Sequence, residues 1–140
     1  MAVTPFYLAD KSALVHLGKP VVAAKLEPLM RVGQVATCGV IELEILFSAR
    51  TEKDFLETRE RRARAFTRVT MQEADFVRAE EVMGRLATTG RHRSVSLPDL
   101  LIAAVAERAG LVILHYDADF DIVASATGQK VEWVAPRGSL

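Results

Sequence analysis

Apolar residues along the chain alternate between short continuous runs and stretches with helical spacing. Runs typical of buried strands occur at Phe6 to Ala9, Val35 to Cys38, Leu111 to Tyr116 and Val131 to Val134, with a weaker one at Val69 to Met71. Helical spacing is found from Ser12 to Leu17, Val21 to Met30, Val40 to Ala49, Lys53 to Arg64, Ala74 to Leu86, Asp99 to Arg108 and Ile122 to Ala126. Strands that alternate with helices predict an α/β fold, a three-layer α/β/α sandwich with a mainly parallel central sheet. The length fits one such domain, residues 1–140.

Two of the predicted strands end in an aspartate. Asp10 closes the first strand, and Asp117 closes the strand that begins at Leu111, with Asp119 shortly after it. In open parallel sheets, sites lie outside the carboxyl ends of the strands. We therefore expect a functional site at this edge of the sheet.

Two further carboxylates lie on helices that this edge could bring close. Asp99 stands at the start of the helix opened by Ser96 and Pro98, and Glu44 lies on the helix after the second strand. Several carboxylates in one crevice raise each other's pKa unless a hard cation neutralises them, and Mg²⁺ or Mn²⁺ prefers oxygen ligands. The usual chemistry of such an ion is phosphoryl transfer, in which it activates water and neutralises charge on the phosphate.

Each aspartate also has a purely structural interpretation. Asp10 and Asp99 are suited to capping helices, because aspartate is a preferred residue at helix starts. Asp119 is equally suited to a cap or a turn. From the residues alone, both interpretations stay open.

Two glutamates on one predicted helix compete for the same site. Glu42 and Glu44 lie about 200° apart around a helix, so at most one faces a shared crevice. Glu44 begins a small polar stripe with Ser48 and Thr51 and is the better candidate. Glu42 is expected to complement the helix dipole.

Charge excludes some functions and leaves others. Basic and acidic residues number 18 each, which argues against a protein that holds long nucleic acid mainly by net positive charge. Basic residues still cluster locally, and such patches suit a short RNA. The clusters are Arg59, Arg61, Arg62, Arg64 and Arg68, and then Arg91, His92 and Arg93.

The apolar segments also bear on location and on thiol chemistry. None of them is long enough to cross a bilayer, and the first residues lack the basic-then-apolar pattern of an export signal, so we expect a cytoplasmic protein. The single cysteine, Cys38, lies in an apolar stretch, which predicts a buried thiol rather than a nucleophile. Trp133 is expected in the core.

The acidic run from Asp117 to Asp121 fits two other motifs poorly. An EF-hand loop starting at Asp117 would need glycine and glutamate where Ile122 and Gly128 stand. Phosphatases of the haloacid-dehalogenase type place Asp-x-Asp near the N-terminus, whereas here the chain is nearly finished. Both interpretations are set aside.

Four segments in register resemble the PIN-domain family, and within it the VapC-type toxins of bacterial toxin–antitoxin pairs. The opening strand with its aspartate, the glutamate motif, the helix-start motif and the second strand-end motif all match in order across nearly the whole chain. In this sequence they are Tyr7-Leu8-Ala9-Asp10-Lys11-Ser12-Ala13-Leu14, Glu44-Ile45-Leu46-Phe47-Ser48-Ala49, Leu97-Pro98-Asp99-Leu100-Leu101-Ile102-Ala103-Ala104 and His115-Tyr116-Asp117-Ala118-Asp119-Phe120-Asp121-Ile122. The family often has threonine at the position of His115.

The resemblance implies a single-strand-specific endoribonuclease that binds one or two Mg²⁺ or Mn²⁺ ions. Asp10 and Asp99 would be the core ligands, Glu44 a ligand or a water-orienting group, and Asp117, with Asp119, would complete a second metal position. The family also implies a homodimer and a cognate VapB-type antitoxin, whose C-terminal segment blocks the site; a basic side chain there would compete with the metal.

Supporting residues and competing functions stay open. Ser12 either supports a carboxylate or a bound water through its hydroxyl, or caps a helix. Arg91 and Arg93 either contact RNA phosphates or are solvated loop charges, and His92 and His115 are expected to be structural or exposed rather than catalytic. The alternatives are a metal-dependent phosphatase or DNA nuclease, and a catalytically silent PIN-like module that binds RNA or a partner.

Overall fold

The computed structural model describes residues 4–140, so residues 1–3 of the predicted domain lie outside the described residues. The described chain forms five strands and seven helices, and their bounds follow in chain order. They are β1 Tyr7–Ala9, α1 Lys11–Leu14, α2 Pro20–Arg31, β2 Val35–Cys38, α3 Gly39–Phe47, α4 Glu52–Ala65, β3 Thr67–Val69, α5 Glu73–Ala87, α6 Leu97–Ala109, β4 Val112–His115, α7 Asp119–Thr127 and β5 Val131–Trp133.

The five strands form one parallel sheet in the order β3-β2-β1-β4-β5. From β1 the chain adds β2 and β3 on one side, and then returns to add β4 and β5 on the other. The direction of winding therefore reverses between β1 and β4, which leaves a crevice at the carboxyl ends of these two strands. Asp10 follows β1 and Asp117 follows β4, so both stand at this crevice.

Helices cover both faces of the sheet, which confirms the predicted three layers. On one face Ala13 of α1 and Val22 and Leu26 of α2 pack in one cluster with Ala9 and Leu114 of the sheet. On the other face α3, α5, α6 and α7 pack against Leu8, Ala36 and Ile113, which point the opposite way. Because strand residues alternate between faces, the three central strands β2, β1 and β4 each contribute to both cores, as their nearly continuous apolar sequences require.

Residues at its two ends determine where α6, the helix that carries Asp99, begins and ends. The hydroxyl of Ser96 accepts the backbone N–H of Asp99 at 3.3 Å, so Ser96 is the N-cap and Asp99 lies in the first turn. Pro98 suits this first turn, where a missing N–H costs no helical hydrogen bond. Gly110 ends the helix at φ 70°, a left-handed conformation that favours glycine.

Two expectations about element bounds are wrong in detail. The weak strand is Thr67–Val69 rather than Val69 to Met71, because its register with β2 ends at the pair Cys38 and Val69. The last helix begins at Asp119 rather than Ile122, since the Asp117 carboxylate accepts the Asp119 N–H at 2.9 Å and supports the first turn.

Trp133 is only partly buried, not a core residue. Its indole N–H donates to Asp121 at 3.1 Å, a bond that keeps one end of the ring near the surface. Cys38, by contrast, is fully buried as predicted. No helix among residues 4–140 combines the length and the apolar character needed to span a membrane.

Candidate active site

Asp10 and Asp117 are held at the crevice by the ends of the two central strands. The backbone N–H of Asp10 donates to the carbonyl of Leu114 at 2.9 Å, which joins the end of β1 to β4. The Asp10 carboxylate accepts the N–H of Ser12 at 3.0 Å through Oδ2, so Asp10 also caps α1. The two interpretations of Asp10 are thus compatible, because capping uses one oxygen and leaves Oδ1 directed elsewhere.

Asp99 and Asp119 are brought together by a bond between their helix starts. The backbone N–H of Ser96 donates to Oδ2 of Asp119 at 3.2 Å, which ties the start of α6 to the start of α7. Carboxylate oxygens of Asp99, Asp117 and Asp119 lie within 4.8 Å of one another. Residues far apart in sequence therefore form one acidic group.

Of the two candidate glutamates, the structure brings only Glu44 to the crevice. Glu42 points the other way, where Arg62 donates to it through Nε at 2.8 Å and through an Nη at 2.7 Å, and Thr37 donates its hydroxyl. Glu44 thus lines the crevice, whereas Glu42 lines a different cavity. Glu42 does more than complement a helix dipole, because it anchors a buried ion pair.

These side chains line one opening, which we call the acidic cleft. Its volume is about 280 Å³, and its lining is Asp10, Lys11, Ser12, Val15, Glu44, Ser96, Asp99, Asp117 and Asp119. Five of the nine are carboxylates, and Lys11 is the one cation among them. Lys11 donates to Ser48 at 3.2 Å and forms no ion pair within residues 4–140.

Burial and mutual repulsion raise the pKa of several of these carboxyl groups. Asp99 is 6% exposed, and burial, the charge of Asp10, hydrogen bonding to Asp119 and the charge of Asp117 raise its pKa to about 8. Burial also raises the pKa of Asp10, although hydrogen bonds from Ser12 oppose it, and the pKa of Glu44, where the charge of Asp10 adds to the effect. The basic side chains among the described residues thus do not neutralise the negative charge of the cleft.

Two carboxylate oxygens of the cleft are buried and without a hydrogen-bond partner among the described residues. They are Oδ1 of Asp10 and Oε1 of Glu44. A buried acceptor without a donor is costly, and such groups in native proteins commonly mark an ion or water site. These oxygens suit a cation that both residues face.

Ser12 joins the first helix to the fourth strand. Its hydroxyl accepts the backbone N–H of Tyr116 at 2.9 Å, next to Asp117. It is not the helix cap, because the N-cap is Asp10. Of the two alternatives, the geometry fits the supporting position beside the carboxylates.

Comparison with known proteins agrees with this geometry. The sequence matches the family profile described as PIN domain over residues 7–126. Over 136 residues it is 44% identical to Ribonuclease VapC21 of Mycobacterium tuberculosis, an alignment that covers 97% of this chain and 99% of that protein. This chain belongs to the PIN-domain family of VapC ribonucleases. The predicted resemblance to this family is thereby confirmed.

Solved structures share the fold of this PIN domain. The structure of DNA-bound VapBC from Salmonella typhimurium superposes with a TM-score of 0.76 over 94% of this chain and 99% of that one, at 13% identity. VapBC-5 from Mycobacterium tuberculosis, described as a member of the VapBC family of toxin–antitoxin systems, superposes with a TM-score of 0.60 at 27% identity, over 92% and 98% of the two chains.

The carboxylates of this PIN domain fit a divalent cation. Oxygens on one octahedral Mg²⁺ lie roughly 3 to 4 Å apart, given metal–oxygen distances of about 2.1 Å. The oxygens of Asp99, Asp117 and Asp119 need only small side-chain adjustments to reach that spacing. Asp10 and Glu44 add two oxygens that lack other partners.

The structure places the two loop arginines at the surface and gives the two histidines different surroundings. Arg91 and Arg93 are exposed in the loop before α6, and neither lines the acidic cleft. His92 is exposed, whereas His115 is fully buried. Its Nδ1 accepts the backbone N–H of Asp117 at 3.1 Å, while Nε2 has no partner among the described residues.

Proposed function

We propose that this chain is a cytoplasmic Mg²⁺- or Mn²⁺-dependent endoribonuclease that hydrolyses phosphodiester bonds of RNA and serves as the toxin of a toxin–antitoxin pair. One observation supports the proposal: five carboxylates converge on one cleft without enough cations to balance them. They come from the end of β1, from α3 and α6, from the turn after β4 and from the start of α7. Confined charge of this kind suits a cation and a phosphate ester. The names of the VapC relatives support RNA as the substrate.

The residues of the cleft would divide the work by position. Asp10 and Asp99, the most buried carboxylates, would be the central ligands, and Glu44 would bind the ion or orient water with its unpartnered Oε1. Asp117 and Asp119 would complete the set, since carboxylate oxygens of both lie within 4.8 Å of one of Asp99. When bound, the cation would supply an activated water and neutralise charge on the phosphate.

The surrounding residues would hold this arrangement and receive the RNA. Ser12 would keep α1 and the end of β4 at a fixed separation through its bond to Tyr116. The exposed Arg91 and Arg93 would contact phosphates of the strand that leaves the cleft on the α6 side. Contacts to phosphates position an RNA without reading its sequence.

Regulation would follow from the same charges. A VapB-type antitoxin would inhibit the enzyme by inserting a basic side chain into the acidic cleft, where it would take the place of the cation. The solved VapBC structures support a partner of this kind.

A homodimer would cover an apolar face of the described chain. Leu43 and Phe47 of α3 and Leu97 of α6 are 71%, 90% and 65% exposed. Large apolar side chains on contacting helices are typical of an interface. Light scattering on the purified protein should give twice the chain mass, and Phe47→Ser with Leu43→Ser should give the chain mass. A wild-type monomer, or dimers in both, would contradict this interface.

The test of the enzyme activity uses a matched panel of substrates. Purified protein is incubated with single-stranded and structured RNA, single-stranded DNA and a phosphomonoester, in Mg²⁺, in Mn²⁺ and in EDTA. We expect metal-dependent cleavage of single-stranded RNA that Asp99→Asn abolishes and that Glu27→Gln, a change of an exposed carboxylate on α2, leaves intact. Cleavage of DNA or the monoester alone would point to the alternative hydrolases. RNA binding without any cleavage in either metal would point to a catalytically silent module.

A further inference from the structure

A second polar cavity lies on the other side of α3 from the acidic cleft. Its volume is about 270 Å³, and we call it the arginine pocket after the side chains that line it, Arg59, Arg62 and Arg68. Thr37, Glu42 and Phe66 line it as well. Arg62 is buried and Arg59 and Arg68 are exposed, so the pocket has a fixed floor and a basic mouth.

The pocket carries an excess of positive charge. Arg62 is held by Glu42 with two hydrogen bonds, and its guanidinium lies over the Phe66 ring at 4.5 Å. The charge of Arg68 also helps to lower the pKa of Glu42, although Arg68 forms no hydrogen bond with it. Arg59 and Arg68 form no ion pair with any carboxylate of residues 4–140. Two guanidinium groups are thus left for an external anion, and such groups match the oxygens of a phosphate well.

The pocket stands at the same edge of the sheet as the acidic cleft. Arg68 lies on β3 beside Thr37 of β2, whereas Asp10 follows β1, two strands away. Strands in a sheet are spaced by about 4.8 Å, so the two sites are roughly 10 Å apart along the edge. That distance suits phosphates of one strand that are separated by one or two nucleotides.

Shared lining residues place a third cavity between the two sites. An apolar cavity of about 340 Å³ between α1, α3 and α4 has Val15 in common with the acidic cleft, and Arg62 and Phe66 in common with the arginine pocket. A strand that leaves the cleft on this side therefore meets apolar surface and then positive charge.

We propose that the arginine pocket is an RNA subsite in which Arg59 and Arg68 bind a phosphodiester one or two nucleotides from the bond that is cut. The inference rests on the proposed ribonuclease function and adds a direction for the substrate. The five carboxylates of the cleft repel the flanking phosphates of RNA, so cations close by are needed to hold the strand. The arginine pocket would do this on the β3 side, opposite the α6 side where Arg91 and Arg93 lie.

The first experiment compares steady-state cleavage of a short single-stranded RNA in saturating Mn²⁺. We expect Arg59→Ala with Arg68→Ala to raise KM about tenfold with little change in kcat, and to lessen the slope of log affinity against log salt by about 0.7, as loss of one phosphate contact predicts. Arg59→Lys with Arg68→Lys should recover most of the KM. The matched control, Arg31→Ala with Lys130→Ala, removes two exposed charges at the amino edge of the sheet and should match wild type.

The second experiment locates the phosphate. RNAs with one neutral methylphosphonate at successive positions are compared in wild type and in the Arg59/Arg68 alanine variant. We expect one position near the cut site to weaken wild-type binding and to have no further effect in the variant. An equal effect in both proteins at every position would overturn the proposal.

The outcomes separate the two proposals. If wild type cuts no RNA in either metal, the ribonuclease function fails, and the subsite fails with it. If wild type cuts RNA and the alanine variant behaves like the Arg31/Lys130 control, the subsite alone is wrong. A variant that keeps its RNA affinity but loses affinity for an acidic peptide would assign the pocket to a protein partner and would likewise overturn the RNA subsite.

Discussion

Buried carboxylates occur in two kinds of place in this molecule, and their surroundings differ in one respect. Glu42 and Asp75 each accept two hydrogen bonds from one arginine, Arg62 and Arg108 respectively. Asp10 and Asp99, similarly buried, have other carboxylates as neighbours instead. An arginine of the fold neutralises the first kind, whereas the second kind has no such partner and would be neutralised by the cation that we propose.

The pKa directions express the same difference. Burial raises the pKa of Glu42 and of Asp75, but hydrogen bonds and charge from the paired arginine outweigh it and leave both below their usual values. In the acidic cleft burial also acts first, and neighbouring negative charge adds to it, so the pKa of Asp99 rises to about 8. A structural carboxylate and a candidate metal ligand can thus be told apart by what compensates their burial.

The largest expected effect is the loss of activity when a carboxylate of the acidic cleft is neutralised. Asp10→Asn should lower kcat/KM for RNA at least about 100-fold, because loss of a direct ligand should exceed the 10- to 100-fold cost of losing an outer partner. Asp75→Asn should leave kcat/KM within a few-fold of wild type in the same assay, once the folded fraction is measured. Equal losses in both variants would remove the distinction.

The next effect is the loss of stability when a carboxylate that is paired with a buried arginine is neutralised. Glu42→Gln should lower the free energy of unfolding by about 3 kcal/mol, since it leaves Arg62 buried without its counter-charge. Urea unfolding measures this, with Glu27→Gln as the control for loss of an exposed carboxylate. A change below 0.5 kcal/mol, roughly that of an ordinary surface substitution, would show that the pair is not structural.

A smaller effect concerns the residue that holds Asp117. His115→Leu removes the acceptor of the Asp117 N–H and should lower both kcat/KM and Mn²⁺ affinity about tenfold. His115→Asn offers an oxygen near the position of Nδ1 and should restore most of both. If the two variants are equally impaired, the imidazole only fills space between Phe120 and Trp133.

The smallest effect is a dependence of stability on pH in EDTA. A carboxyl whose pKa is raised on folding holds its proton in the native state while the unfolded chain has lost it, so stability falls as pH rises from about 4 towards 8. Asp99→Asn removes this loss. Its Tm should exceed that of wild type by about 4 °C at pH 8, as 1 kcal/mol predicts, and the difference should shrink at pH 5. The reference to wild type cancels the opposite contribution of His115, whose burial lowers its pKa.

The sequence predicted the parts of the site that depend on strand ends and on helix periodicity. Asp10 and Asp117 were found because each directly follows an apolar strand, and Glu44 because its stripe is polar where that of Glu42 is not. Capping at Ser96 placed the start of α6 close to Asp99. These patterns depend on neighbouring residues, and the packing of the fold leaves the predicted strand ends and the cap unchanged.

What the sequence could not predict depends on contacts between distant segments. Arg62 lies 20 residues from Glu42, and nothing in the basic run of α4 distinguishes it from its exposed neighbours. The bond from Asp117 to His115 requires a backbone turn that residue types alone do not specify. The helix start at Asp119 follows from the same turn, which explains why the sequence placed it three residues too late.

Calorimetric titration of Mn²⁺ into metal-free protein tests most directly whether the carboxylates of the acidic cleft bind a divalent cation. The account predicts saturable binding to wild type and to Glu42→Gln, with loss of binding in Asp99→Asn. Absence of binding to folded wild type, or equal affinity in Asp99→Asn, would contradict it.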